Sequence, residues 1–396
     1  MTRFTVFLSA GEPSGDFLGC QLMKALKLEL GDDVAFVGLG GPLMATQGFS
    51  SLFPIEELSV MGLAEVIPHV WRIRRRIKET IAAIEKIRPD IVVTIDSPGF
   101  NFRVGKALKK CNKSMPLVHY VAPSVWAWRA GRARAIAQFL DHLLVLLPFE
   151  SSYFLKEGLS THFVGHPVME LGLKEAGDPT FRNRHKIPPS APILILLPGS
   201  RRGEITRLLP IFQETTLRLQ QKYPDLRVVI PTLPHLAEQV QSLYTLPAVI
   251  VTTPEEKFAA YRESRAALAA SGTVSLELAA AELPMVIAYK LNLLTHFIVR
   301  RMVKVKYASL VNLLMNEEVV PEQLQDNCTA EKLATALENL IQDNKNKVQH
   351  MQLQMKRALS MLNAPEVGLS PSQSAAKRIC QIMGIQKDIY SQDRII

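Results

Sequence analysis

Short apolar runs rich in β-branched residues recur along this chain, and most are separated by segments whose apolar positions fall three and four apart. Strands joined by helices at this spacing can bury themselves only in parallel sheets with helices on both faces. The pattern predicts strands at Thr5–Leu8, Val34–Val37, Ile91–Ile95, Leu117–Val121, His142–Leu147, Ile193–Leu197, Arg227–Ile230, Val249–Val251, Ala266–Ala269 and Met285–Tyr289. At 396 residues and 47% apolar content the chain is too long for one typical core and comfortable for two. The periodicity lapses over Gly172–Pro192, which contains the polar, proline-rich "GDPTFRNRHKIPPSAP", and then restarts. The expected fold is therefore α/β: two doubly wound, Rossmann-like domains at about 1–175 and 190–360, with ligands in the cleft at the carboxyl ends of their strands. The polar Pro365–Ser374 followed by "AAKRICQIM" predicts a last helix, about 366–390, that packs back on the first domain.

Charge and cysteine content narrow the function. There are 46 basic and 37 acidic residues, a formal charge of +9, which suits an anionic partner. Cys20, Cys111, Cys328 and Cys380 lie far apart, a pattern that excludes a disulfide framework and a zinc site. No apolar run approaches the roughly 18 to 20 residues that span a bilayer. The first residues lack the basic region and cleavage site of a secretory leader. A cytoplasmic protein is expected, with any membrane contact peripheral.

Four strand-end turns could carry chemistry. In "LLPGSRRGEI", Gly199 permits a tight turn, Ser200 can cap the next helix and Arg201 offers a planar cationic fork for a diphosphate. The alternative is an ordinary turn with solvated arginines. In "ASGTVSLELA", Ser271, Gly272, Thr273 and Val274 open a helix whose free N–H groups could hold an anion without a metal. Glu277, one turn in, either accepts the hydroxyls of a ribose or completes a capping box. In "VTIDSPGFN", Asp96 ends a strand as a general base or as a turn-initiating residue before Pro98 and Gly99. "HYVAPSVWAWRAGRARA" interleaves Trp126 and Trp128 with Arg129, Arg132 and Arg134, a pattern for stacking on sugars or nucleic acid, or for simple packing with a solvated arginine face. "SAGEPSGD" raises a different question, because a carboxylate, Glu12, sits where a phosphate-cradling turn would have none. It is not a clean G-x-G-x-x-G, and no Walker sequence or close histidine pair occurs.

"VIPHVWRIRRRIKETIAAI" aligns Ile73, Ile77, Ile81 and Ile84 on one helical stripe. Val66, Ile67, Val70 and Trp71 gather at one end, with Arg72, Arg74, Arg75 and Arg76 beside them. This suits a helix on an anionic lipid surface, although the stripe could equally be the core face of a Rossmann helix. "HFIVRRMVKVKY", His296–Tyr307, has the same apolar and basic character.

Taken together, "AGEPSGD", "ELSVMGLAEV", "IDSPGFN", "HYVAPSVWAWR", "LLPGSR", "ASGTVSLE" and "SLVNLLMNEEVVPEQLQ" resemble the lipid-A-disaccharide synthase family over about Ser9 to Gln325. The resemblance implies a GT-B glycosyltransferase that joins UDP-2,3-diacylglucosamine to 2,3-diacylglucosamine 1-phosphate (lipid X), with inversion and without a metal cofactor. It implies Asp96 as the base, with Glu12 as an alternative, and Ser14 and Gly15 beside the acceptor. It further implies Arg201 and Ser271–Val274 on the diphosphate, Glu277 on the ribose, and Asn312 and Gln325 at the donor site. The implied setting is the cytoplasmic face of the inner membrane in a Gram-negative bacterium; oligomeric state stays open and no nucleic acid is expected. Two positions depart from the family pattern: Gly99 stands where a second aspartate is usual, and Val311 where proline is usual. The rivals are a MurG-like transferase, a UDP-sugar 2-epimerase, a nucleic-acid-binding module, and a silent paralogue that binds lipid or UDP only.

Overall fold

The predicted strands assemble into two six-stranded sheets in a computed structural model that describes residues 4–58, 66–128, 131–172, 178, 180–292, 305–342 and 345–385. The first sheet contains β1 (Phe4–Ala10), β2 (Val34–Leu39), β3 (Ile91–Ile95), β4 (Leu117–Tyr120), β5 (His142–Val145) and β6 (Ser160–Phe163), in the order β2-β1-β3-β4-β5-β6. The second contains β7 (Ile193–Leu197), β8 (Arg227–Pro231), β9 (Val249–Val251), β10 (Ala266–Ala270), β11 (Met285–Tyr289) and β12 (Glu322–Leu324), in the order β12-β11-β10-β7-β8-β9. Every pairing within them is parallel. The apolar pattern does not reveal β6 and β12. Both are sheet edges, and edge strands need no continuous apolar run because they are only partly covered.

The period of two along each strand divides the first sheet's core into two layers. Phe7, Val92, Leu117 and Leu143 point to the face covered by the helices Val66–Ile87 and Pro98–Cys111. Val6, Leu8, Ile91, Val93 and Val118 point to the other face, against Leu22, Met23 and Leu26 of the helix Pro13–Leu30. The helix Pro371–Ile382 completes that second layer through Ala375, Ala376 and Ile379, and its start is fixed by a capping box between Ser370 and Gln373. The chain divides into two compact units, Met1–Pro167 with Leu362–Ile396, and Val168–Met361.

In each sheet the strand order reverses at one point, where a crevice opens at the carboxyl ends of two adjacent strands. These points are β1/β3 in the first sheet and β7/β10 in the second. At β1/β3 a buried side chain ties the strand ends together. Asn101, in the first turn of Pro98–Cys111, accepts a hydrogen bond from Ser9 Oγ at 2.7 Å. Its Nδ2 donates to the carbonyls of Ser9 (3.1 Å), Ile95 (3.1 Å) and Asp96 (2.8 Å). Replacing it with alanine would leave these carbonyls and the Ser9 hydroxyl without their partner in the interior. We expect Asn101→Ala to lower the free energy of unfolding by about 3 kcal/mol, measured by urea denaturation. A loss below about 1 kcal/mol would mean that water or a neighbour replaces the amide.

Candidate active site

The first crevice is built from the turns after β1 and β3. Asp96 and Ser97 both adopt left-handed backbone, with φ of 50° and 46°, which is uncommon for residues with a side chain. The Asp96 N–H is held by the Tyr120 carbonyl at 2.9 Å, and the Asn101 amide holds its carbonyl. The two turns are laced together by crossed bonds. Ser14 Oγ donates to Asp96 Oδ2 at 2.9 Å, and Ser97 Oγ donates to Glu12 Oε1 at 3.1 Å. Asp96 is half-buried, while Glu12 and Ser14 are exposed. Gly15 is buried where an added Cβ would lie 3.2 Å from the Ile95 carbonyl, so the helix start comes close to the end of β3.

Asp16, the last residue of "SAGEPSGD", is occupied elsewhere. Its buried carboxylate accepts the N–H groups of Gly41, Leu43 and Met44 at 2.9 to 3.0 Å and so caps the short helix Pro42–Ala45 from outside. Around Gly99 there is open space, with nothing within 4 Å of an added Cβ. The side chain usual at that position could be accommodated here without displacing anything.

The second crevice is a cavity of about 440 Å³ at the ends of β7 and β10. It is lined by Gly199, Ser200, Arg201, Ser271, Gly272, Thr273, Val274 and Glu277, which the sequence singles out. It is also lined by Glu204 and Lys257, which the sequence reading missed. Gly199 has φ of 120°, and an added Cβ would lie 2.5 Å from Glu204 Oε2. Glycine is needed there on both counts. Glu204 sits in the first turn of the helix Arg202–Lys222, accepts the Ser200 N–H at 3.1 Å and lies 3.6 Å from the Arg201 guanidinium. An acid at the third position of a helix can reach back to N–H groups that precede the helix, and that was the available signal. The Arg201 side chain is 82% exposed, so it is loosely held and free to close on a ligand.

The capping reading of Glu277 is not what forms. Thr273 makes no side-chain cap on the helix Val274–Ala280. Glu277 Oε2 instead accepts from Lys257 Nζ at 2.9 Å and from the Tyr261 hydroxyl at 3.5 Å. Burial, reinforced by the Glu277 carboxylate, pushes the Tyr261 hydroxyl well above its ordinary range. The helix is only seven residues long, so the donors at its start are the N–H groups of Gly272, Thr273 and Val274, which have no backbone partner among the described residues, rather than a long macrodipole.

Asn312 and Gln325 lie outside this lining. Asn312 is fully buried; its Nδ2 donates to the Val320 carbonyl and Glu322 Oε1, both at 2.8 Å, and its Oδ1 accepts from the N–H groups of Val319 and Val320. Gln325 Oε1 accepts the Leu291 N–H at 3.2 Å. Val311 gives its N–H to the capping Ser309 Oγ at 3.2 Å, a bond proline could not make. That cap and the Asn312 bonds hold the segment in place of a rigid ring.

On the helix Val66–Ile87 the isoleucine stripe faces inward. Ile81 and Ile84 belong to the core, and Ile73 and Ile77 pack against it. Arg76 is drawn into ion pairs with Glu57 and Glu79 and lies over the Phe53 ring, so neither Ile73 nor Arg76 is presented outward. Trp71 is 67% exposed, and Arg72, Arg74 and Arg75 are exposed beside it. The side chains of Val66, Ile67 and Val70, the lead-in 59–65 and most of His296–Tyr307 lie outside the described residues. Among the described residues no helix is long and apolar enough to cross a membrane.

In the tryptophan loop, Trp126 Nε1 donates to the buried Glu150 at 3.0 Å, and Arg132 lies over the Phe102 ring. Burial pushes the Glu150 carboxyl up to about 7 against the lowering effect of that bond. These contacts are packing. The Trp128 side chain and Arg129 lie outside the described residues.

A family model for lipid-A-disaccharide synthetase matches residues 6–376. The chain is 49% identical over 346 residues to the lipid-A-disaccharide synthase of Rhodospirillum centenum, covering 87% of this chain and 86% of that one. Among solved structures it is similar to a UDP-GlcNAc 2-epimerase from Neisseria meningitidis bound to UDP-GlcNAc, with a TM-score of 0.62 and 14% identity over 96% of this chain and 98% of that one. It is also similar to MurG from Acinetobacter baumannii, with a TM-score of 0.54 and 14% identity over 95% of this chain and 99% of that one. At such identities the structural likeness establishes the fold alone: two Rossmann-like domains of the GT-B class. The extent and identity of the sequence match decide among the glycosyltransferases and epimerases that share it, and the chain belongs to the lipid-A-disaccharide synthase family, enzymes of lipid A biosynthesis.

Proposed function

We propose that this enzyme transfers the sugar of UDP-2,3-diacylglucosamine to the 6-hydroxyl of lipid X by one inverting displacement. The products are UDP and a β-1,6-linked tetraacyl disaccharide 1-phosphate. The observation that carries this reading is the cavity at β7/β10, which combines two cations, N–H donors at a helix start and two carboxylates. That set suits a nucleoside diphosphate and a ribose together. Arg201 and the N–H groups of Gly272, Thr273 and Val274 would neutralise the charge that grows on the diphosphate as the glycosidic bond breaks. Glu277 would accept from the ribose, with Gly199 and Ser200 forming the turn against the diphosphate. Asn312 and Gln325 would shape the donor site from behind by fixing its loops, since both polar atoms of Asn312 and the Gln325 Oε1 are engaged.

The attacking hydroxyl needs a base. Asp96 is half-buried, with one carboxylate oxygen satisfied by Ser14 and Oδ1 without a partner among the described residues. It would take the proton as the acceptor oxygen reaches the anomeric carbon, while Ser14 and Gly15 line the approach. Glu12 is more exposed and would serve better as a partner to acceptor hydroxyls than as the base. In this reading cationic side chains and backbone donors supply the electrophilic assistance, and no metal cofactor is required. Trp71, Arg72, Arg74 and Arg75 would rest on the anionic inner-membrane surface where both acylated substrates reside, each arginine contributing roughly 1 kcal/mol near the headgroups.

Incubating the purified protein with both acylated substrates in excess EDTA should yield the tetraacyl disaccharide 1-phosphate, read by mass spectrometry. Absence of product in EDTA and its return with added divalent cation would refute the metal-free reading. Asp96→Asn should lower kcat by about 10²- to 10⁴-fold with little change in UDP affinity, the range expected for a lost general base. Wild-type turnover in that variant would remove Asp96 from the role.

A further inference from the structure

Lys257 and Tyr261 lie four residues apart on the helix Pro254–Glu263 and therefore on one face of it. Both line the cavity, and both direct their polar atoms at the same oxygen, Glu277 Oε2, at 2.9 and 3.5 Å. Glu277 Oε1 has no partner among the described residues. Tyr261 is 1% exposed, and the side chains of Lys257 and Glu277 are 27% and 24% exposed, so the three form a partly desolvated unit on the cavity wall. We propose that Lys257 and Tyr261 are positioning residues that aim Glu277 Oε1 at the vicinal hydroxyls of a ribose, so that the cavity selects ribonucleoside diphosphates over their 2′-deoxy counterparts. This rests on the reading of the cavity as the nucleotide site with Glu277 at the ribose, and adds to it the residues that orient that carboxylate.

The geometry and the charge balance support the assignment. A glutamate carboxylate turns about three side-chain bonds and has two equivalent oxygens. Two donors on one oxygen distinguish the oxygens and restrict those rotations, which narrows the direction of the second oxygen. The Lys257 ammonium also cancels the Glu277 charge. With Arg201 facing Glu204, the cavity's four charged side chains then sum to zero. Without Lys257 a bare carboxylate would face the incoming diphosphate. Tyr261 stays a proton donor throughout the working pH range because burial and Glu277 both oppose its ionisation.

Calorimetric titration of UDP and 2′-deoxy-UDP into the full-length protein tests this. The wild type should prefer UDP by about ten- to a hundredfold, since the analogue leaves a Glu277 lone pair unmatched. Lys257→Met should weaken both nucleotides through the lost charge but weaken UDP further, so that their ratio falls to about threefold or less. Tyr261→Phe should shift the ratio in the same direction by a smaller factor, and Lys257→Arg should restore much of it. Two results would overturn the proposal: equal losses for both nucleotides in Lys257→Met, which would make Lys257 a diphosphate ligand, or no preference in the wild type. Failure of the wild type to bind either nucleotide would instead overturn the nucleotide-site reading beneath it.

Discussion

A single buried amide holds the ends of β1 and β3 in register with the turns that follow them. Asn101 donates to the carbonyls of Ser9 near the end of β1, of Ile95 at the end of β3 and of Asp96 just beyond it. Those bonds hold Asp96 in the left-handed region at the end of β3. The same turn carries the crossed bonds from Ser14 to Asp96 and from Ser97 to Glu12. The fold and the candidate base therefore share one anchor: strand order reverses at β1/β3, and the amide ties together the strand ends and the turn that carries Asp96.

The second crevice is held differently. Its turn after β7 is kept open by a carboxylate, Glu204, that accepts the Ser200 N–H and stands so close to Gly199 that no side chain fits there. Each cation in the cavity faces an acid: Arg201 meets Glu204, and Lys257 meets Glu277. A site balanced in this way does not carry a large local repulsion when empty, and its exposed arginine can exchange an intramolecular partner for a ligand phosphate at small net cost. The division of labour fits the reaction. In the proposed mechanism, leaving-group charge would be met by the exposed Arg201 and N–H donors, whereas proton removal would fall to a carboxylate on a left-handed turn.

Much of this was legible in the sequence because the signals were local. Strands that are buried on both faces must be continuous apolar runs, so β1, β3, β7 and β10 declare themselves, and the turns after them are then the ligand-facing loops. The edge strands β6 and β12 escaped because half-covered strands need no such run. Glu204, Lys257 and Tyr261 escaped for another reason: their importance lies in contacts to Ser200 and Glu277 that only the folded chain brings about. The outward reading of Ile73 and Arg76 had a visible alternative in the same helix, and packing chose it. Arginines within one turn of each other differ in fate according to whether an acid such as Glu57 stands opposite, which helical spacing does not reveal.

In the proposed mechanism the crevice at β7/β10 takes the nucleotide. Hydrogen–deuterium exchange with and without saturating UDP tests it most directly. Amide protection should rise in Gly199–Glu204 and Ser271–Glu277, with the β1/β3 turns nearly unchanged. Protection confined to the turns after β1 and β3, with the second crevice indifferent to UDP, would contradict it.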